Sequence, residues 1–209
     1  MRVLVLCDDY WHPASVVRGG LEPLDGNGWT FDIIEDGSEW SAPKLAEYSV
    51  AILVKSDDIS AQNKGSWVTD GVQEGFRDWV TAGGSLLAIH SGTVYRDVPV
   101  MRGILGGAFI GHPKQCPVTV APKDGHPLTA GVTAFTLTDE HYQMVLDDQE
   151  ADLFLTSTSE HGTQPAGWTR FEGKGRVCVL TPGHNLEVWL DPSFQTLLDN
   201  CLHWCAQAE

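Results

Sequence analysis

Ser85-Leu-Leu-Ala-Ile-His-Ser-Gly-Thr93 opens with an apolar run and stops abruptly at a histidine, a serine and a glycine. The run follows Gly83-Gly84 and shows no alternation of apolar and polar residues, the pattern of a short strand buried on both faces. A strand of this kind belongs inside a parallel sheet covered by helices. Upstream, Thr69 to Thr81 carries Val72, Phe76, Trp79 and Val80 at helical spacing, ended by the glycine pair. Tyr48 to Val54 and Trp29 to Ile34 read as two further strands, a helix is expected from about Ser15, and Val3 to Cys7 is the first strand. The alternation predicts an α/β fold with an open, mostly parallel, flavodoxin-like sheet, helices on both faces, and ligands at the strands' C-terminal edge.

Downstream the pattern changes. Within 103–146, Pro117 to Ala121 and Ala134 to Thr138 alternate as antiparallel strands do, so this region is expected to embellish the core. Leu153 to Thr156 and Arg176 to Leu180 read as strands, with Gly173-Lys-Gly175 a turn before the second. Pro192 begins a last helix with Phe194, Leu197, Leu198, Cys201, Leu202 and Cys205 on one face. With no repeat, low-complexity tract or linker, residues 1–209 are expected to form a single domain.

Composition narrows the function. Asp and Glu outnumber Lys and Arg by 28 to 13, a formal net charge of −15, so the long-range field repels nucleic acid and anionic membranes and favours neutral guests such as sugars, or cations. No apolar stretch reaches the roughly 18 residues of a membrane span, and the N-terminus has no signal-peptide pattern, which predicts a cytoplasmic protein. The five cysteines form no C-x-x-C pair and are expected to be reduced. Cys201 and Cys205 have the spacing of a zinc half-site, but in a terminal helix they read as packing.

His90 stands at a strand-turn-helix elbow, directly after a buried strand and before an expected helix, where a thiol at the helix N-terminus would be needed for glutamine hydrolysis. An imidazole there can instead accept a proton, bind a metal or hydrogen-bond a hydroxyl. Ser91 lies one place past the elbow without a recognisable Ser-His-Asp order. His12, His112, Glu140 and His184 also fall just past expected strands or in glycine-rich turns, so all five can converge on one cleft. Three imidazoles and a carboxylate suit a divalent metal such as zinc, and equally suit proton transfer to a polyhydroxylated substrate; spacing leaves both open. His126, His161 and His203 read as turn, loop and helix residues. Of eight tryptophans, Trp11 beside His12 is the candidate for stacking on a sugar ring, and Trp40, Trp67, Trp168 and Trp189, in or beside expected loops, are assigned to packing.

Several separated motifs occur in the order of a known family: Leu87-Ala-Ile-His-Ser-Gly-Thr93 with Tyr95, Gly106-Gly-Ala-Phe-Ile-Gly-His-Pro113, His126-Pro-Leu-Thr129, Asp139-Glu-His-Tyr142, and Gly175 to His184 with Trp189 and Pro192-Ser-Phe194. In these the chain resembles the ThuA-like, trehalose-utilisation proteins. The resemblance implies the class I glutamine-amidotransferase-like fold and a place in disaccharide or keto-sugar metabolism. It implies a pocket built from these histidines and the acidic residue; within it His90, Glu140 and His184 are the catalytic candidates, and Trp11, His12, Tyr95, His112, Asp139 and Tyr142 are expected to bind the ligand. The leading expectation is a sugar-active hydrolase, lyase or isomerase. The alternative is a non-catalytic sugar-binding or regulatory domain, and a homodimer is expected through exposed tryptophans and the embellishing strands.

Overall fold

The structure, a computed structural model, describes residues 1–207. Its elements run β1 (Arg2–Leu6), α1 (Ala14–Leu21), β2 (Thr30–Ile34), the one-turn α2 (Ala42–Leu45), β3 (Val50–Leu53), β4 (Asp58–Ser60), β5 (Asn63–Ser66), α3 (Asp70–Thr81), β6 (Ser85–Ile89) and α4 (Pro99–Leu105). Then follow β7 (Gly107–Gly111), β8 (Cys116–Pro122), β9 (Phe135–Asp139), β10 (Gln143–Leu146), β11 (Asp152–Ser159), β12 (Gly162–Glu172), β13 (Gly175–Leu180), α5 (Leu186–Trp189) and α6 (Pro192–Ala206).

A nine-stranded sheet has the order β2-β1-β3-β6-β13-β12-β11-β8-β9. Its first five strands are parallel. Its last four join antiparallel. Successive residues of the parallel strands enter opposite cores, as a two-residue side-chain period requires. Val3, Val5, Ile52, Leu87 and Ile89 pack towards Val17, Leu21, Trp189, Phe194 and Leu198 of α1, α5 and α6. Leu4, Leu6, Leu53, Leu86 and Ala88 pack towards Phe76, Val80, Met101 and Ile104 of α3 and α4. Each fully buried Leu or Ile contributes about 1.5–3 kcal/mol, so the unbroken apolar runs that mark these strands also hold the sheet together. The helix ends follow local rules: Thr69 caps α3 by accepting from Val72 N, and Asp191 caps α6 by accepting from Ser193 N and Phe194 N.

Three expectations need correction. The antiparallel wing does not stop at 146; β11 and β12 carry it to Glu172. The sequence of β12 hides it, because Gly162, Pro165 and Gly167 are all poor strand residues. Pro165 is tolerated beside a register shift against β11, and Gly167 is required because a Cβ there would stand 2.9 Å from the Phe154 ring. Trp168 lies inside β12, not in or beside a loop, while Trp189 ends the one-turn α5; both are fully buried packing residues, with their indole N–H groups donating to Leu105 O and Gly183 O. Finally, β6 runs into a single 3-10 turn, His90–Thr93, and α4 begins only at Pro99, so no long helix points its N-terminus at His90.

Among the described residues no helix is long and apolar enough to cross a membrane.

Candidate active site

The turns after β1, β6, β9 and β13 meet at the C-terminal edge of the parallel strands. At the end of β1, Asp8 takes a left-handed φ of 73° and turns the chain away from the sheet. Its carboxylate accepts from Ala14 N at 3.0 Å and Ala61 N at 2.9 Å, fixing the start of α1. Asp9 follows, wholly buried, and one of its oxygens accepts from the backbone N of Trp11 and of His12, each at 3.0 Å, and from His12 Nδ1 at 2.7 Å. Its second oxygen accepts from Ser56 N at 2.9 Å. Burial opposes Asp9's charge, but these donors, His12 first, outweigh it and hold the carboxyl down at about 2. Beneath this loop the buried Lys55 ammonium donates to the carbonyls of Cys7, Asp8 and Glu35, tying the ends of β1, β2 and β3 together.

His90 occupies its elbow at φ 46°, and Gly92 two places on is obligatory, since a Cβ there would come within 2.0 Å of Leu53 O. The His90 Nδ1–H donates to Thr181 O at 2.8 Å, which turns Nε2 towards the site. Asp139 accepts from Gly183 N at 2.9 Å and His184 N at 3.0 Å, so the end of β9 holds the turn after β13 in place. Glu140, next in the chain, reaches inward.

The result is a cluster of four groups, His12, His90, Glu140 and His184, whose donor atoms all lie within 4.8 Å of one another. Glu140 Oε2 stands 3.2 Å from His184 Nδ1 and 3.4 Å from His90 Nε2. Neither approach is aligned as a hydrogen bond: His12 Nε2, His90 Nε2 and His184 Nδ1 are buried without a hydrogen-bond partner. Burial alone would raise Glu140, but the neighbouring His184 and His90 hold it well below the carboxylate range. The same carboxylate raises His184, whereas complete burial lowers His90 despite Glu140 beside it.

Above the cluster opens a cleft of about 620 Å³ whose lining includes Trp11, His12, Ser56, Asp57, Asp58, Val94, Phe109, His112, Glu140 and Tyr142. Tyr142 stacks on His90 at 4.0 Å between ring centroids and leans on Phe109 at 4.2 Å. Trp11 is 69% exposed, edge-on to Tyr10, over which the Lys64 ammonium sits at 3.1 Å. Among the described residues no lysine or arginine lines the cleft.

Of the residues singled out from sequence, four form the cluster and Trp11, His112 and Tyr142 line the cleft. His112 is outside the donor group: its Nδ1–H donates to Pro113 O at 2.7 Å, its Nε2 stands 3.6 Å from Glu140, and its side chain is 35% exposed. Tyr95 is buried away from the cleft lining with its hydroxyl on Lys55 O, and Asp139 acts through the backbone it holds. Sequence reasoning missed Asp9, Ser56, Asp57, Asp58, Val94 and Phe109. Only Asp9 carried a signal, an acid three residues before a histidine in a strand-end loop. All five cysteines are free and buried, and burial pushes Cys7 up to about 12, so no thiol serves as nucleophile.

The trehalose-utilisation family, ThuA, matches residues 2–205. A ThuA-like protein from Bacteroides uniformis ATCC 8492 superposes with TM-score 0.78 at 20% identity, covering 100% of this chain and 92% of that one. A cytoplasmic protein of Salmonella typhimurium gives TM-score 0.71 at 15% identity, covering 100% of both chains. A β-galactosidase from Rahnella sp. R3 gives 0.70 at 19%, covering 96% of this chain but 31% of that larger one. No curated protein matches the chain.

Proposed function

The chain belongs to the ThuA, trehalose-utilisation, family, and from that premise we propose that it is a cytoplasmic enzyme acting on an uncharged sugar, disaccharide or keto-sugar at the His12–His90–Glu140–His184 cluster. The observation that carries this reading is the cluster itself, open to a cleft of about 620 Å³ with an exposed tryptophan on its rim. That volume accommodates a disaccharide. Trp11 and Phe109 offer apolar surface for sugar-ring faces, and Asp58 and Ser56 offer acceptors for hydroxyls. Asp57, Asp58 and Glu140 in the lining, with no lysine or arginine among the described lining residues to pair an anion, argue against phosphorylated or acidic sugars. A related fold built into a β-galactosidase, and the cytoplasmic Salmonella protein, support the substrate class and the compartment.

The chemistry this geometry favours is proton transfer at a carbonyl or hydroxyl oxygen, or at the adjacent carbon, with the imidazoles and carboxylate around the cleft as proton acceptors. His112 is the proton carrier, because it faces Glu140, reaches the cleft and lies outside the four-group cluster.

The test is a thermal-shift screen of neutral, oxidised and phosphorylated mono- and disaccharides, followed by NMR detection of product. A neutral or keto-sugar is expected to stabilise the protein, Trp11→Ala to weaken that response, and His112→Gln to keep binding while lowering turnover about 10²–10⁴-fold. Stabilisation by no sugar, or by phosphorylated sugars alone, overturns the reading; binding without product from any sugar leaves a binding module in its place.

A further inference from the structure

We propose that His12, His90, His184 and Glu140 bind one divalent first-row transition ion of the zinc class. The proposal takes this cleft as the working site but does not depend on the sugar. It starts from tautomers. The partner of His12 Nδ1 is a carboxylate oxygen of Asp9, and the partner of His90 Nδ1 is the Thr181 carbonyl. Both partners only accept, so both Nδ1 atoms carry the hydrogen and both Nε2 atoms present lone pairs. Those lone pairs are buried, have no hydrogen-bond partner, and face the same small volume as Glu140 Oε2 and the equally unpartnered His184 Nδ1.

An unsatisfied buried polar atom costs about 1–3 kcal/mol, and three of them in one place need a common explanation. A proton does not supply it. One proton can bridge one pair, His184 to Glu140 for instance, and leaves the lone pairs of His12 and His90 opposed to each other and to the carboxylate. A cation at the centre satisfies all four donors together.

Spacing agrees. With metal–donor bonds of about 2.0–2.1 Å, the donors of a four-coordinate ion stand roughly 3.3 Å apart. The 3.2 Å and 3.4 Å separations from Glu140 are of that size, and side-chain rotation can close the wider ones. Three imidazoles select a zinc-like ion over magnesium or calcium, which prefer oxygen donors. Asp9 completes the arrangement. Held by three backbone N–H groups, it grips the far side of His12 as an outer carboxylate grips a metal-bound histidine.

The test uses the full-length protein, stripped by chelator and titrated with Zn²⁺ by calorimetry and with Co²⁺ by visible absorbance. The expected result is one ion per chain, with the Co²⁺ absorption of a four- or five-coordinate site and no heat from Mg²⁺ or Ca²⁺. His12→Ala and Glu140→Gln should each weaken binding at least about 100-fold. Asp9→Asn, which removes no donor, should weaken it about 10–100-fold, and His112→Gln should leave it unchanged. Stripped protein of intact near-UV circular dichroism that binds neither ion saturably, or whose binding survives both His12→Ala and Glu140→Gln, overturns the proposal. Ion binding without any sugar response would defeat the sugar reading alone; a sugar response in protein that binds no ion would defeat this one alone.

Discussion

Two cavities lie at opposite edges of the sheet, and both collect charged and aromatic side chains. The one at the N-terminal edge of the parallel strands, about 450 Å³, is lined among others by His126, Asp148, Asp152, Arg170, Phe171 and Trp204. Its ionic groups are consumed by one another. Arg170 donates to Asp148 at 2.7 Å, to Glu172 at 2.8 Å and to the carbonyls of Gly103 and Ile104, latching α4 to β12. His126 bonds Asp152 through Nε2 at 3.0 Å and accepts from Leu128 N through Nδ1. At the other edge the outer faces of His12 and His90 are anchored as firmly, yet their inner nitrogens are left open. The two edges thus differ in what their titratable residues leave unpaired, more than in how many they collect.

The contrast can be broken most directly by exchanging the consequences. His184→Ala removes a side chain with an open nitrogen while Asp139 still holds the backbone. It should weaken Zn²⁺ binding about 100-fold or more and change unfolding stability by no more than about 1 kcal/mol. Arg170→Ala should do the reverse, costing about 1.5–3 kcal/mol in denaturant unfolding and leaving ion affinity unchanged. Calorimetry and urea titration on the two variants decide it; equal effects on both readouts would erase the distinction.

A smaller effect sharpens the latch. Its hydrogen bond with Arg170 holds Asp148 below the ordinary carboxylate value. A carboxyl lowered on folding stabilises above its unfolded pKa, and that contribution is lost as pH falls through its folded one. The stability gap between wild type and Arg170→Ala should therefore hold above about pH 5 and narrow as pH falls through about 4 and below in urea titrations. The smallest change is expected for Lys123→Ala, because the Lys123–Asp152 pair is exposed on both sides: less than about 1 kcal/mol, shrinking further in salt.

The parallel half of the fold was legible because strands buried on both faces must be written as apolar runs; the bounds of β6 were read residue for residue, and β1, β3 and β13 to within a few. The antiparallel wing was half legible. β8 and β9 alternate, while β12 is written with proline and glycines whose reasons are tertiary: the Phe154 ring against Gly167 and the slipped register beside Pro165. The hairpin β4–β5 is polar and short, with no apolar pattern to show it. Of the site, the four donors were visible as chemistry-bearing residues at strand ends. Why Asp9 belongs with them was not, because an acid in a loop takes its meaning from the N–H groups folded around it. His112 looked like an equal member and is not: its ring is turned by the Pro113 carbonyl, a contact no spacing rule encodes.

The four donors come from turns after β1, β6, β9 and β13, and so from nearly the whole length of the chain. His12, His90 and His184 follow strands of the parallel core, and Glu140 joins them when the antiparallel wing has formed along the β13–β12 seam. Pairings so distant in sequence make for slow folding. An ion held by all four binds the finished state more tightly than a parallel core that offers three imidazoles without Glu140, and so stabilises the finished state most. The parallel core alone carries three imidazoles of the site, and metal held at full strength would report, chain by chain, that the wing has brought Glu140 to them.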